Sequence, residues 1–203
     1  MAPRSEAEFE RIRNESRKKI ISAALELFAR NGYSQTTIEA IAKRAGVAKG
    51  LIYNYFDNKE TLLHETFLFG FQGVEDSFAS LVNVQDPCEI VEFFIDGVFD
   101  VFLRDIDMWR LQSGILLNPE TPLKFRELIL QKIDEYTRFI RQTFEMCGVE
   151  DSESEAWVFA ATLDGVMLYS IFWGDRLPLD GCRNVLKKRY RQLITNTERK
   201  EKK

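Results

Sequence analysis

At 203 residues, 45% hydrophobic and 30% charged, the chain is long enough to bury one sizeable core or a small domain joined to a larger one. Its net charge of −4 conceals an asymmetry: ten basic against four acidic side chains between residues 11 and 59 give that stretch +6 and leave −10 for the rest, the pattern of a basic module for a polyanion on an acidic body. No apolar run approaches the ~20 residues a membrane span needs, and the N-terminus MAPRSEAEFERIR lacks the apolar stretch of a secretory signal, so a cytoplasmic protein with no membrane partner is expected.

Apolar positions recur at helical spacing almost throughout, which predicts an all-α fold. The first helix runs from Glu6 to Arg30, with Ile21, Ala24, Leu25 and Phe28 on one face and Asn31-Gly32 as its stop. Thr36 and Glu39 have the spacing of a capping box opening a helix over residues 37–45. Gly46 ends that helix, a very short one follows over 48–55, and Lys59 to Leu81 reads as a fourth. Breaks at Asp86-Pro87, 118–122, 148–152 and 174–181 divide the remainder into about five more helices before a solvated tail, NTERKEKK.

Two helices joined by a tight glycine turn, the second short and polar at its start, make a helix-turn-helix whose second helix enters the DNA major groove. Gly50 costs roughly 1 kcal/mol relative to alanine inside a helix, and there it reads as clearance for the nucleic acid. The hydroxyls of Tyr53 and Tyr55 and the charge of Lys59 suit phosphate oxygens. Ile52 and Phe56 are left to pack with Phe28, Ile38, Ile41 and Leu62.

The runs Ala23 to Phe28, Asn31-Gly32-Tyr33, Thr36-Thr37, Ile41-Ala42, Ala45-Gly46-Val47, Lys49-Gly50, Tyr53, Tyr55-Phe56 and Lys59 to Leu63 resemble the N-terminal domain of the TetR family of transcriptional regulators, over about a quarter of the chain. The resemblance implies a nine-helix homodimer in which residues 1–58 bind a double-stranded DNA operator and residues 59–203 bind an effector and the second subunit. It implies a repressor. Carried over by position, it implies base contacts for Lys49, Gly50, Leu51, Tyr53 and Asn54, and phosphate contacts for Thr37, Tyr55 and Lys59. Ala48 and Leu51 replace the serine or threonine of many members, which shifts base reading toward Lys49 on guanine and apolar contact with a thymine methyl.

The acidic body has no G-x-S-x-G, phosphate loop or metal-ligand cluster, and its only histidine, His64, lies beside the DNA module, so no enzyme is expected. Cys88, Cys147 and Cys182 are far apart and read as ordinary thiols, with no metal and no cofactor. The alternative to a regulator is a helical adaptor for protein or ligand that does not bind DNA. Sixteen phenylalanines favour a hydrophobic or aromatic small-molecule effector, with Phe94, Phe102, Trp109, Tyr136, Trp157 and Phe172 expected to line its cavity. Asp96 and Asp100 either meet a cationic effector or join Glu89 and Glu92 in a solvated stripe. Residues 154–173 are apolar on two sides, and Ala156, Phe159, Ala160, Leu163 and Met167 are the expected dimer face. Gly70 and Gly73, inside the fourth helix, are read either as a bend that transmits effector binding or as a close helix crossing.

Overall fold

The computed structural model describes residues 6–79, 84–118 and 121–201, and these form nine α-helices with no strand among them. α1 (Glu6–Asn31) begins with Glu6 and Glu8, ends with Arg30, and stops at Gly32, whose φ of 78° is left-handed. α2 (Ile38–Ala45) opens on Thr37, not on the expected Thr36–Glu39 box. The Thr37 hydroxyl oxygen accepts the Ala40 N–H at 3.1 Å, whereas Thr36 is buried and its hydroxyl faces the carbonyls of Gly32 at 2.8 Å and Leu27 at 3.1 Å. Thr36 is thus turned toward the end of α1 and away from α2, and the next residue, Thr37, presents its oxygen to the free N–H at the start of α2. α3 covers only Lys49–Tyr53, because Ala48 offers no side-chain cap and the chain turns at Asn54.

The body contains α4 (Lys59–Ala79), α5 (Pro87–Arg104), α6 (Ile106–Leu117), α7 (Leu123–Met146), α8 (Ser152–Trp173) and α9 (Leu179–Glu201). The break between α5 and α6 carries neither glycine nor proline; Asp105 makes it by accepting the Met108 N–H at 3.2 Å. α9 runs to Glu201, inside the segment expected to be a solvated tail, whose last two residues lie outside the described ones.

Apolar side chains gather in two cores. The first joins Phe28, Ile41, Ile52, Phe56 and Leu62 to Phe67, Phe71, Met108, Leu111, Ile115, Phe125 and Ile129. It therefore continues across residue 58: α6 packs along α1, and the start of α7 completes the cluster. The second core holds Phe94, Phe99, Phe102, Ile140, Phe144, Phe159, Leu163, Met167 and Tyr190, from α5, α7, α8 and α9. Tyr136 packs against both.

Three of the four carboxylates in the acidic stripe on α5, those of Glu92, Asp96 and Asp100, are paired with basic residues of α9. Arg183 of α9 pairs with Asp96 at 2.6 Å and Asp100 at 3.0 Å, Lys187 with Asp96 at 2.7 Å, and Arg191 with Glu92 at 2.5 Å. Burial alone would raise the Asp96 carboxyl, but hydrogen bonds from Lys187 and Arg183 outweigh it and hold the group below its ordinary range.

α8 corrects two expectations. Ala156, Phe159, Leu163 and Met167 are at most 3% exposed and belong to the chain's own core, and Ala160 is half-buried beside them, so this face cannot also receive a partner. The open face lies on the other side, where Trp157, Val158, Tyr169, Phe172 and Trp173 are each about half exposed or more. The segment Ser152–Arg176 is also long and apolar enough to cross a membrane, with a mean hydropathy of 1.4, contrary to the expectation that no run approached that length. Only 28% of that stretch is buried within the chain.

Candidate nucleic-acid interface and effector cavity

α2 and α3 are fixed to each other by Gly46, left-handed at φ 68°, and by the Val47 N–H on the Ala42 carbonyl at 3.0 Å. Ile52 and Phe56 are anchored in the first core, which aims the opposite side of α3 outward. Lys49, Gly50, Tyr53 and Asn54 are exposed on that side, and Leu51 is half-buried. A methyl group added to Gly50 would meet nothing in the chain within 4 Å, so internal packing does not require glycine there. At the margin of this face the Thr37 hydroxyl, although accepting from Ala40, retains its own proton for an outside acceptor. The half-buried Tyr55 has the Arg13 guanidinium 5.8 Å from its ring centroid, which adds a cation from α1 that sequence spacing did not single out.

Lys59 is the exception among the expected DNA contacts. Its ammonium donates to the carbonyls of Tyr33 at 2.9 Å and Thr36 at 3.0 Å, approaches that of Ser34 at 3.5 Å, and lies 4.3 Å from the centroid of the Tyr33 ring. An ammonium has three protons. With these partners Lys59 ties the start of α4 to the loop before α2, and its ammonium protons have acceptors within the chain. Burial lowers its pKa from the ordinary lysine value. Across the same contact, burial, with a smaller contribution from Glu60, raises the Tyr33 hydroxyl.

A cavity of about 90 Å³ lies at the junction of the two cores. Phe71 and Met108 line it from the first core, and Phe94, Ile140, Phe159 and Leu163 from the second, with Trp109, Gln112, Tyr136 and Asp164 at its wall. Of the six rings expected there, Phe94, Trp109 and Tyr136 are present. Phe102 is buried behind, with its centroid 5.8 Å from that of Trp109, and Trp157 and Phe172 are on the open face of α8, since helical rotation carries them away from Phe159 and Leu163. Burial pushes the Tyr136 hydroxyl up to about 12 and the Asp164 carboxyl up to about 6. Asp164 was legible in sequence as the single charge between Ala156 and Trp173, but only the fold brings it to the cavity.

Gly70 of α4 faces this region. A Cβ built on it would lie 2.3 Å from the Met108 sulfur, so the backbone of α4 is packed against a side chain that also lines the cavity. Of the two readings, Gly70 fits the close helix crossing; the surroundings of Gly73 lie outside the described residues.

An outward-facing helix-turn-helix on a body whose described residues are all helical defines the class of a DNA-binding regulator. Residues 20–66 match the family described as bacterial regulatory proteins, tetR family. The chain is 29% identical over 172 residues to the HTH-type transcriptional regulator LmrA of Bacillus subtilis, covering 81% of this chain and 91% of that protein. It is 55% identical over 49 residues to the fatty acid metabolism regulator protein of the same organism, a match spanning 24% of this chain and 25% of that one. The fold is similar to that of the fatty acid degradation regulator FadR from Bacillus halodurans, with a TM-score of 0.72 and 23% identity over 88% of this chain and 94% of that one. The chain belongs to the TetR family of helix-turn-helix, DNA-binding transcriptional regulators, and its relatives are named as regulators, not enzymes.

Proposed function

We propose that the protein is a cytoplasmic repressor that binds an inverted-repeat operator as a homodimer and leaves it when a small, largely apolar effector enters the cavity between the two cores. Residues 1–58 supply the DNA-binding unit and residues 59–203 the effector-binding and dimerising unit. The observation that carries the reading is the position of the cavity, with the core of the DNA-binding helices on one side and that of α8 on the other. Lys49, Gly50, Leu51, Tyr53 and Asn54 meet base edges, and Thr37 and Tyr55 meet phosphates. Lys59 acts on the same surface by holding the loop before α2 in place.

Dimerisation proceeds through the open face of α8, about Trp157, Tyr169 and Phe172, whose exposed apolar surface supports a partner of the same kind. Two recognition helices then address half-sites on the order of one DNA turn, ~34–36 Å, apart. An effector that displaces Met108 presses on α4 at Gly70 and, through Lys59, on the loop before α2. The test is an operator titration with and without compounds that raise the melting temperature of the protein. Reciprocal weakening is expected, each ligand lowering the affinity of the other by the same factor. Stabilising compounds that leave operator affinity unchanged would refute release by an effector.

A further inference from the structure

Among the residues lining the cavity, Asp164 is the one that carries a charge at neutral pH. The remainder of the wall is apolar or aromatic apart from Gln112, Tyr136 and Thr137, and the Thr137 hydroxyl donates to the Ile133 carbonyl at 2.7 Å. Asp164 also lines an outer groove with Ser113, Leu116, Gly165 and Leu168, and Trp109 and Gln112 are common to both spaces. Its carboxylate therefore stands where the cavity opens toward the surface. Its solvent-facing edge is exposed even though the surrounding atoms crowd the group. Among the described residues it has neither an ion pair nor a hydrogen bond, in contrast to Asp96, Asp100 and Asp107, which are paired with arginine or lysine.

A carboxylate crowded by apolar groups without a counter-charge is costly, and a cation at that point relieves the cost. The rings of Phe94, Trp109 and Tyr136, which line the same cavity, favour a cation further. The same arrangement repels a carboxylate ligand. We infer that the cavity selects a cationic effector, an ammonium or other onium head at Asp164 on an apolar body seated among Phe94, Trp109 and Phe159. The inference rests on the reading of this cavity as the effector site and specifies the chemistry that site accepts.

Three probes of similar shape and different charge test it on the full-length protein by calorimetric titration at pH 7.5: benzyltrimethylammonium, its neutral isostere neopentylbenzene, and phenylacetate. The parent protein should bind the cation at least about tenfold more tightly than either of the others. Asp164→Asn should abolish that preference while leaving the affinity for neopentylbenzene within about threefold. Binding of the neutral probe with no preference for the cation, or a preference for phenylacetate, overturns the inference and leaves the cavity as an effector site. Binding of none of the three overturns both. A variant that becomes monomeric in sedimentation yet keeps the parent's ranking of probes would show Asp164 to be an interface residue, which also overturns it. The parent's ranking stands as a test by itself even if the variant does not fold.

Discussion

The Lys59 ammonium sits 4.3 Å from the centroid of the Tyr33 ring while donating to the Tyr33 carbonyl at 2.9 Å, so one cation is bound by both the face and the backbone of a single residue. Hydrogen bonds to charged groups contribute roughly 1.5–3 kcal/mol each, and truncating the donor leaves the carbonyls of Tyr33 and Thr36 without it. Lys59→Ala should cost about 2 kcal/mol of stability by denaturant titration. It should weaken binding to all DNA sequences without changing the slope of log affinity against log salt. A slope smaller by about one unit would instead mark Lys59 as a direct phosphate ligand.

Lys49 is exposed on the outward side of α3. Lys49→Ala should lose ~1–3 kcal/mol on the operator and little on random DNA, with the melting temperature unchanged. An unaltered ratio of specific to random affinity would remove Lys49 from the base-reading set.

A methyl group on Gly70 would collide with the Met108 sulfur, and the flexible thioether can yield only by moving into the cavity or against its neighbours. Helix propensity favours alanine by roughly 1 kcal/mol, whereas overpacking costs about 1–3 kcal/mol. Gly70→Ala should therefore be mildly destabilising, and the cost should disappear in the double variant Gly70→Ala, Met108→Ala. A double-mutant cycle in urea measures the coupling, expected at about 1 kcal/mol or more. A cycle that closes to zero would separate α4 from the cavity.

Phe172 is 71% exposed at the centre of the apolar side of α8 that the chain leaves uncovered. Phe172→Glu should give a monomer in sedimentation equilibrium with an undiminished helical signal, and operator affinity should collapse because one recognition helix alone buries too little. A variant that stays dimeric would direct the search to another surface.

Asp164 titrates in the folded protein at about 6, above the ordinary 3.8. Between those values the folded state binds more protons than the unfolded one, so the group's contribution to stability falls as pH rises from about 4 to about 6 and stays low above that. Asp164→Asn should raise the melting temperature at pH 7.5 and leave it unchanged near pH 4. The gain is moderated because solvent reaches part of the carboxylate. An equal effect at both pH values would mean the carboxyl is not raised.

The helix-turn-helix was legible because its signals are local: a glycine at a left-handed turn, a threonine before α2, and apolar residues four apart at Ile52 and Phe56. Which of two adjacent threonines caps α2 was not, since both offer the same hydroxyl and only the end of α1 decides which one it uses. The backbone partners of Lys59 were hidden for a similar reason. A lysine opening a helix beside a DNA module suits a phosphate, and nothing nearby in sequence reveals that the carbonyls of residues 33 and 36 converge on it. On α8 the period of 3.6 residues separated two apolar faces correctly but could not assign either to the interior. That choice depends chiefly on where α7 lies. The cavity rings split the same way: Phe94, Trp109 and Tyr136 come from three different helices, and residue type alone cannot distinguish them from Trp157.

The continuity of the first core across residue 58 bears on how such a regulator can be cut and recombined. A fragment ending before α4 would retain Phe28, Ile41 and Ile52 but lose Leu62, Phe67, Met108, Leu111 and Phe125, the side chains that close over them. A hybrid that grafts residues 1–58 onto a foreign body would thus expose an oily seam along α1 wherever the recipient's own sixth helix has a different shape. The portable unit is discontinuous, made of the N-terminal helices with α4, α6 and the first turns of α7, and a successful transplant has to carry all of these pieces together.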